Sequence, residues 1–464
     1  MTKIKLLAAA LALSFAAGST GAGAADLIEA YQSARQSDPQ LAAAEASSRA
    51  VGENVTIARS TLLPNINGSA SVNESRDDLF SSSDGDLRTR TYGVNLNQSV
   101  FDWGNYTNLG AARARNAAAQ ADYEFAVDTL LLRVAEAYFG VLAAEDALAF
   151  AEAEERAVGR QLEQAEQRFE VGLTAVTDVH EARARHDAAR AAVIAAGNAL
   201  DDAREALAEI TGEHYGSVLA LRLDIPLEGP DPDELEAWEQ AALQASPALA
   251  ASRFTLEAAE RDIGTARSGH LPSLNASVGW QDRKVLRGFD PELGGQRQAD
   301  GGSIGLILNV PIFSGFATQA RVRQSVYQRD FAEEILEAER RNLLRQTRND
   351  FRSVVAGISS IEARRQALLS AQSALEATQA GFEVGTRTIV DVLLAQQLLF
   401  QAQRDYSNAR HQFILNGLRL KRTVGIIEFN DLEEVNALLT AERLTPEEIG
   451  ARVAAQAQRD GERR

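Results

Sequence analysis

The sequence predicts a membrane protein of mixed α and β structure, made of two tandem copies of one plan. Each copy is expected to hold two membrane-crossing β-strands and a long coiled-coil helical hairpin. Three observations predict this fold class: an internal repeat, strand-length segments of alternating polarity, and heptad spacing in the longest segments. The composition agrees, because 45% hydrophobic but only 6% aromatic residues favour long helices packed through small side chains.

The repeat runs through nearly the whole chain. The stretch "QSDPQLAAAEASSRA" aligns with "QASPALAASRFTLEA", so that Pro39 matches Pro247, and the frame "FEVG" occurs at 169–172 and again at 382–385. Two copies of one supersecondary plan explain such self-similarity. The expected divisions are a signal peptide at 1–25, repeat 1 at 26–230, repeat 2 at 231–440, and a polar C-terminal tail at 441–464 that is expected to be disordered.

The N-terminus has the pattern of a bacterial secretory signal. Lys3 and Lys5 precede an apolar run that is too short to span a bilayer, and small residues follow near Ala25. The chain contains no cysteine, which excludes disulfides, a thiolate metal site and a lipid-anchored N-terminus. A net charge of −18 argues against a nucleic-acid partner, because nucleic-acid recognition normally needs a basic patch.

Four segments alternate strictly between apolar and polar residues. In the first, Ile66, Ala70 and Val72 oppose Asn65, Asn67 and Ser69. Strands of about ten residues with one apolar and one Ser/Asn/Gly face are typical of a transmembrane barrel with a wet interior. A soluble β-sandwich partly covered by helices remains an alternative. The expected strands are 65–74, 90–101, 273–283 and 303–313, and the aromatic residues expected at the membrane interface are Phe101, Trp103, Trp280, Phe313 and Phe316.

Four strands cannot close a membrane barrel by themselves. Single-chain membrane barrels have at least about eight strands, and an open edge in lipid would leave backbone groups without hydrogen-bond partners. If these strands cross a membrane, several copies of the chain must share one barrel. Three copies would supply twelve strands.

The segments between the strands carry the clearest periodicity. Large residues fall seven apart at Val392, Leu399, Tyr406, Phe413 and Leu420, with small residues between them. This spacing, sustained over four heptads, imposes a left-handed coiled coil. The helices expected at about 104–167 and 316–380 would each be roughly 90–100 Å long at 1.5 Å per residue. The chain is therefore expected to form two helical hairpins with tips at about 168–177 and 381–388.

Enzyme chemistry is not expected. The five histidines show no HExxH or other zinc spacing, no GxSxG element occurs, and no constellation of residues with mutual catalytic roles can be named. No metal or cofactor is expected either. A periplasmic coiled-coil scaffold without a pore is the alternative to a channel, but it leaves the alternating strands unexplained.

Several motifs resemble the TolC family of outer-membrane channel proteins, and they differ from its lipoprotein branch, since no lipid-anchoring cysteine is present. The motifs are "QSVFDWG", "RFEVGLTAVTDV", "HLPSL", "NVPIFSG" and "GFEVGTRTIVDVL". The resemblance implies a homotrimer in the outer membrane of a Gram-negative bacterium, with a 12-strand β-barrel continued by a 12-helix α-barrel across the periplasm. It also implies export of small toxic compounds or polypeptides, a periplasmic adaptor protein, an inner-membrane pump of RND, ABC or MFS type, and contact with outer-membrane lipid.

The resemblance also assigns roles to residues at the two hairpin tips. The turns expected to receive the adaptor are Val171, Gly172 and Leu173, and Val384, Gly385 and Thr386. The glycines are expected to have a left-handed or tight backbone that reverses the chain.

A closing contact is expected between Arg387 and either Thr177 or Asp178, with Phe382 in place of the family's tyrosine. Asp391 is expected to face the lumen with a raised pKa, because three copies would repel one another. Leu394 replaces the family's second aspartate, which reduces the expected cation selectivity.

Overall fold

The computed structural model describes residues 24–76, 86–288, 290, 293 and 296–462. The signal peptide expected at 1–25 therefore lies outside the described residues, except for its last two positions. The middle of the polar turn between the first two strands also lies outside them.

The secondary structure follows the order predicted from the sequence. The helices are α1 Leu27–Ser37, α2 Pro39–Ser60, α3 Trp103–Glu170, α4 Val176–Thr211, α5 Leu235–Ala245, α6 Pro247–Ser268, α7 Ala317–Glu383, α8 Ile389–Val424, α9 Phe429–Asn436 and α10 Pro446–Glu462. The strands are β1 Asn65–Arg76, β2 Asp86–Phe101, β3 Ala220–Leu221, β4 Ser273–Arg287, β5 Gln298–Asn309 and β6 Leu439–Thr440. All four long strands extend further toward their hairpin loops than the sequence predicted.

The tandem repeat is confirmed by matching helix lengths. Helices α1 and α5 each have 11 residues, α2 and α6 have 22, and α4 and α8 have 36. The long helices α3 and α7 have 68 and 67 residues. The two halves of the sequence therefore fold into the same series of elements.

The helical region at the start of repeat 1 is divided into two helices, because the chain leaves the helical conformation at Asp38. A residue that precedes proline is pushed away from the helical region, and Asp38 has an extended ψ of 118° before Pro39. Its carboxylate accepts a hydrogen bond from the Leu41 backbone N–H at 2.8 Å, which caps the new helix. Ser246 and Pro247 make the same break in the second repeat, with a ψ of 117° at Ser246.

The chain divides into two compact units, each of which takes residues from both repeats. The helical unit comprises Met1–Ala43, Phe125–Ser246 and Asn342–Arg464, and the sheet unit comprises Ala44–Glu124 and Pro247–Arg341.

The sheet unit holds one antiparallel sheet in the order β1-β2-β4-β5. Its register aligns residues of one polarity in rows across all four strands: Ile66, Leu96, Val278 and Ile304 form an apolar row, and Asn67, Asn95, Gly279 and Ser303 form the adjacent polar row. The apolar face is open, with Ile66 67% and Ile304 85% exposed. Among the described strands, β1 and β5 each pair on one side only.

The helical unit is organised by the heptad positions. Val392, Tyr406, Phe413 and Leu420 are all buried, whereas Leu399 is only partly buried. The hydroxyl of buried Tyr138 lies 3.0 Å from the backbone carbonyl of Ala25 and 3.1 Å from that of Leu219, and its hydrogen bonding ties Ala25 and the residue before β3 to α3. None of the described helices is long and apolar enough to cross a membrane.

The disorder expected for the C-terminal tail is wrong for most of its length, because residues 446–462 form α10. Ile449 and Val453 lie four apart on one helix face, and both are buried, Val453 completely. Gln403 of α8 donates to the Pro446 carbonyl at 3.0 Å and fixes the start of this helix. Apolar packing and this hydrogen bond together hold a segment that is otherwise polar.

Candidate functional site

The first hairpin turn is closed by a glycine with a left-handed backbone. Gly172 has φ of 74°, and its N–H donates to the Phe169 carbonyl at 2.9 Å. The Leu173 N–H donates to the Arg168 carbonyl at 2.8 Å. This pair of bonds is the Schellman arrangement, which satisfies the last carbonyls of α3 and turns the chain back.

The second turn repeats this geometry. Gly385 has φ of 75°, its N–H donates to the Phe382 carbonyl at 3.1 Å, and the Thr386 N–H donates to the Gly381 carbonyl at 2.8 Å. The left-handed backbone predicted for both glycines is confirmed. Space does not explain the choice of glycine, because an added Cβ would meet nothing within 4 Å at either position. The positive φ is the constraint.

Both turns present apolar side chains to solvent. Val171 is 69% exposed, Leu173 72% and Val384 75%. These are among the more exposed apolar residues of the helical unit, and they stand directly beside the two glycines. Exposed apolar residues at matching positions of two turns form a surface suited to an apolar partner.

A small apolar cluster packs between the helices next to the two turns. Its buried members are Val158, Ala165, Val179, Ala182, Ile389 and Leu393, with Leu162 and Phe382 packed against them. The cluster joins both hairpins, because its residues come from α3, α4, α7 and α8. The two turns are therefore held side by side by packing within one chain.

Phe382 makes a contact that the sequence did not predict. The guanidinium carbon of Arg168 lies 4.8 Å from the centroid of the Phe382 ring, which is cation–π geometry. Arg168 belongs to the first hairpin and Phe382 to the second. The resemblance led us to expect a tyrosine at this position, and Phe382 lacks its hydroxyl. The contact with Arg168 gives a different link between the hairpins.

The expected contact of Arg387 with Thr177 or Asp178 does not occur within one chain. Across the part of the chain that the structure describes, no hydrogen bond or ion pair joins these residues. Asp178 instead accepts a short hydrogen bond from the Thr174 hydroxyl, four residues earlier. The Arg387 side chain packs over the backbone of Gly381, where an added Cβ would come within 2.8 Å of the Arg387 Cγ.

Asp391 is the third residue of a capping box at the start of α8. Its carboxylate accepts from the Thr388 N–H and from the Thr388 hydroxyl, both at 2.9 Å, and the Thr388 hydroxyl accepts from the Asp391 N–H at 3.3 Å. These hydrogen bonds lower the pKa of Asp391, and the charge of Arg387 adds to the effect. Within one chain, this is opposite to the rise expected for three neighbouring carboxylates. Leu394 lies about one helical turn further on and is 48% exposed.

Four of the five aromatic residues expected at a membrane interface lie at strand ends. Phe101 ends β2 and Trp103 begins α3, while Phe313 and Phe316 follow β5 and pack edge to face at 5.5 Å. All four are exposed. Trp280 differs, because it lies in the middle of β4, opposite Val94 on one side and Gly302 on the other.

These parts define a class of protein. A sheet with an exposed apolar row and two long hairpins that end in apolar glycine turns are features expected of an outer-membrane export channel. The family model of outer membrane efflux proteins matches residues 30–213 and 238–425, one match in each repeat. The chain belongs to the outer membrane efflux protein family, whose members are transport channels, and it is an outer-membrane protein.

Individual relatives agree with this assignment. The chain is 39% identical to outer membrane protein TolC of Vibrio cholerae serotype O1, over 90% of this chain and 95% of that protein. It is 35% identical to outer membrane protein TolC of Escherichia coli K12, over 94% of this chain and 89% of that protein. The fold is similar to the crystal structure of the outer membrane protein VceC from Vibrio cholerae, with a TM-score of 0.73, 22% identity, and coverage of 86% of this chain and 96% of that one.

Proposed function

We propose that three copies of this chain form the outer-membrane exit channel of a tripartite export system. In this proposal the channel receives small toxic compounds or polypeptides from an inner-membrane transporter of RND, ABC or MFS type through a periplasmic adaptor. The single observation that carries it is the four-stranded sheet with two unpaired edges and an exposed apolar face.

The unpaired edges support assembly of several copies. Backbone groups at a sheet edge in lipid have no water to bond with, and each unsatisfied group costs several kcal/mol. Pairing β5 of one copy with β1 of the next would satisfy both edges. Three copies would close a barrel of twelve strands, with the apolar rows toward lipid and the Asn, Ser and Gly rows toward the interior.

The adaptor is proposed to dock at the two glycine turns. The docking residues are Val171, Gly172, Leu173, Val384, Gly385 and Thr386. Their support is geometric, because both turns share one backbone form and expose apolar side chains that a helical partner tip could cover.

The gate is proposed to lie beside the same turns. Since Arg387 and Asp178 do not pair within one chain, their contact is proposed between neighbouring copies in the closed channel. Asp391 and Leu394 would then form two rings at the constriction, one of carboxylates and one of apolar side chains. The capping hydrogen bonds of Asp391 support a charged ring at neutral pH, because they lower its pKa.

The experiment is the mass and conductance of the purified mature protein. We expect a trimer in detergent and stable single-channel currents in planar bilayers. A pore-free periplasmic scaffold, the alternative function, predicts release with the periplasmic fraction and no current. A monomer that leaves bilayers without current would overturn the proposal.

Docking is tested by site-specific crosslinking in the cell envelope. The chain has no cysteine, so single cysteines at Leu173 and Val384 give unambiguous attachment points. Ile194 is a matched control, because it is 70% exposed on α4 and lies away from the turns. We expect an adaptor adduct from both turn positions and none from Ile194. Equal adduct yields at all three positions would contradict docking at the turns.

A further inference from the structure

A cavity of about 630 Å³ lies in the helical unit, far along the sequence from the hairpin turns. Its walls come from α3, the segment that begins with β3, α8, and the C-terminal segment from β6 to the end of α10. A volume of this size is within the usual range of small-molecule sites. The channel function proposed above gives this cavity no role.

The wall is basic in a chain that is otherwise acidic. Five arginines line the cavity, against three acidic residues; the arginines are Arg222, Arg410, Arg443, Arg452 and Arg459, and the acids are Asp146, Asp224 and Glu442. The whole chain has 65 acidic and only 47 basic residues. The cavity wall thus has an excess of positive charge, whereas the whole chain has an excess of negative charge. This local excess indicates a site for an anion.

Three of the arginines already have acidic partners. Arg222 lies 3.6 Å from Asp224 and Arg452 lies 2.5 Å from Glu442, while Arg443 is in close contact with buried Glu145. Asp146 accepts a short hydrogen bond from Ser407. Burial raises the pKa of Asp146.

Arg410 differs, because it is only 3% exposed and no carboxylate of the described residues lies within ion-pair distance of it. Burial lowers the pKa of Arg410, and the more distant charges of Asp146 and Asp224 offset this only in part. One of its terminal nitrogens donates to the backbone carbonyls of Leu221 and Arg222. Its Nε is buried without a hydrogen-bond partner. A buried guanidinium with an unused N–H is costly unless an anion completes its hydrogen bonds. The nearby His411 does not compete for an anion, since burial and the charge of Arg410 lower its pKa to about 3 and keep it neutral.

We infer that this cavity binds a small oxyanion of the phosphate or carboxylate class, held by the planar fork of Arg410 and by Arg459 from α10. The guanidinium group matches both oxyanions, because its parallel N–H groups bond two oxygens at once. Arg459 is exposed and has no described partner, so it is free to take part. A bound anion would connect α8 to α10 and so fix the C-terminal helix to the hairpin.

The test titrates the full-length trimer with inorganic phosphate and, separately, with malonate, at constant ionic strength set with chloride. We expect saturable binding of one of them at one site per chain by calorimetry, and slower tryptic release of α10 in its presence. Phosphate binding assigns the site to phosphate compounds, and malonate binding assigns it to carboxylates.

Two variants and a matched control locate the site. Arg410→Gln is expected to weaken binding at least tenfold, since bonds between charged groups contribute about 1.5–3 kcal/mol. Arg459→Gln lies on an exposed position and keeps the test valid if Arg410→Gln does not fold; we expect several-fold weaker binding. Arg190→Gln removes an exposed arginine on α4 that is not in the cavity wall and should leave binding unchanged. Failure of both anions to bind, or equal losses in Arg459→Gln and Arg190→Gln, would overturn the inference.

Discussion

The guanidinium of Arg168 lies 4.8 Å above the ring of Phe382, and this contact joins the two hairpins next to their turns. Phe382 also packs on the apolar cluster that both hairpins share. The tip of the chain is therefore held by a charge-to-ring contact on one side and by apolar packing on the other.

We expect Arg168→Gln to loosen this tip by about 0.5–1 kcal/mol, which is the usual strength of a cation–π contact at an accessible site. Hydrogen exchange at the C-terminal end of α7 measures the free energy of local opening. Phe382→Leu should lower this free energy by a similar amount, and by a further amount because the side chain packs less well on the apolar cluster. In the double variant the Arg168 substitution should have almost no further effect, because its partner is gone. Strictly additive effects would contradict the contact.

Arg387→Ala tests the proposed gate. If Arg387 pairs with Asp178 of a neighbouring copy, its loss should open the tip and raise single-channel conductance in planar bilayers. Arg387→Lys is the control, since it keeps the charge and should remain closer to the unmodified channel. Unchanged conductance in Arg387→Ala would contradict a role of Arg387 in closing the channel.

The capping box at Thr388 and Asp391 predicts a pH dependence at the start of α8. The pKa of Asp391 is lowered in the folded chain, so its contribution to stability is present above its ordinary value near 3.8 and is lost as the pH falls through the lower folded value. Hydrogen exchange at residues 389–392 should therefore speed up only under strong acidification. Thr388→Ala removes the cap and should shift this acid transition to higher pH. An acid transition unaffected by Thr388→Ala would show that another group is responsible.

The proposed carboxylate ring predicts the ion preference of the channel. Asp391→Asn should lower the ratio of cation to anion permeability, and Leu394→Asp should raise it by adding a second ring at the constriction. Reversal potentials in a salt gradient measure both changes. Leu394→Ala controls for the loss of side-chain bulk alone. If neither aspartate change moves the reversal potential, these residues do not line the conducting path.

Gly385 in the second turn and Gly197 inside α4 predict opposite effects from the same substitution. Gly385→Ala forces a side chain into φ of 75° and should destabilise the turn by about 1–2 kcal/mol, although the space is free. Gly197→Ala is the matched control, because Gly197 lies inside α4 with equally open surroundings and a helical backbone. There we expect a gain of about 0.5–1 kcal/mol. Thermal unfolding of both variants tests the sign of each effect.

The sequence was sufficient for the features that depend on local pattern. Alternation predicted four strands, and heptads predicted the hairpins and some of their buried residues, such as Tyr406 and Phe413. The repeated "FEVG" frame predicted both left-handed glycines, since a turn of this type has a strong backbone requirement.

The features that the sequence did not predict depend on partners distant in the chain or on weak local signals. Arg168 and Phe382 are more than two hundred residues apart, and no local pattern connects them. The tail was interpreted as polar because few of its apolar residues, such as Ile449 and Val453, are large enough to signal a buried helix face. The helix break at Asp38 had a signal in the following proline, and the capping box had one in the spacing of Thr388 and Asp391. The helix break and the capping box could therefore have been predicted, the first from the residue before a proline and the second from the three-residue spacing.

The edges of β1 and β5 also bear on how the protein reaches its final state. In a single chain, β1 and β5 each have one unpaired edge that can bind a further strand. Exposed apolar residues such as Ile304 and Ile312 lie nearby. Such a strand edge pairs with whatever β-segment it meets first, including one from an unrelated chain. Assembly in the proposed trimer therefore competes with aggregation, and the outcome depends on whether these edges meet another copy of the chain before they meet an unrelated β-segment.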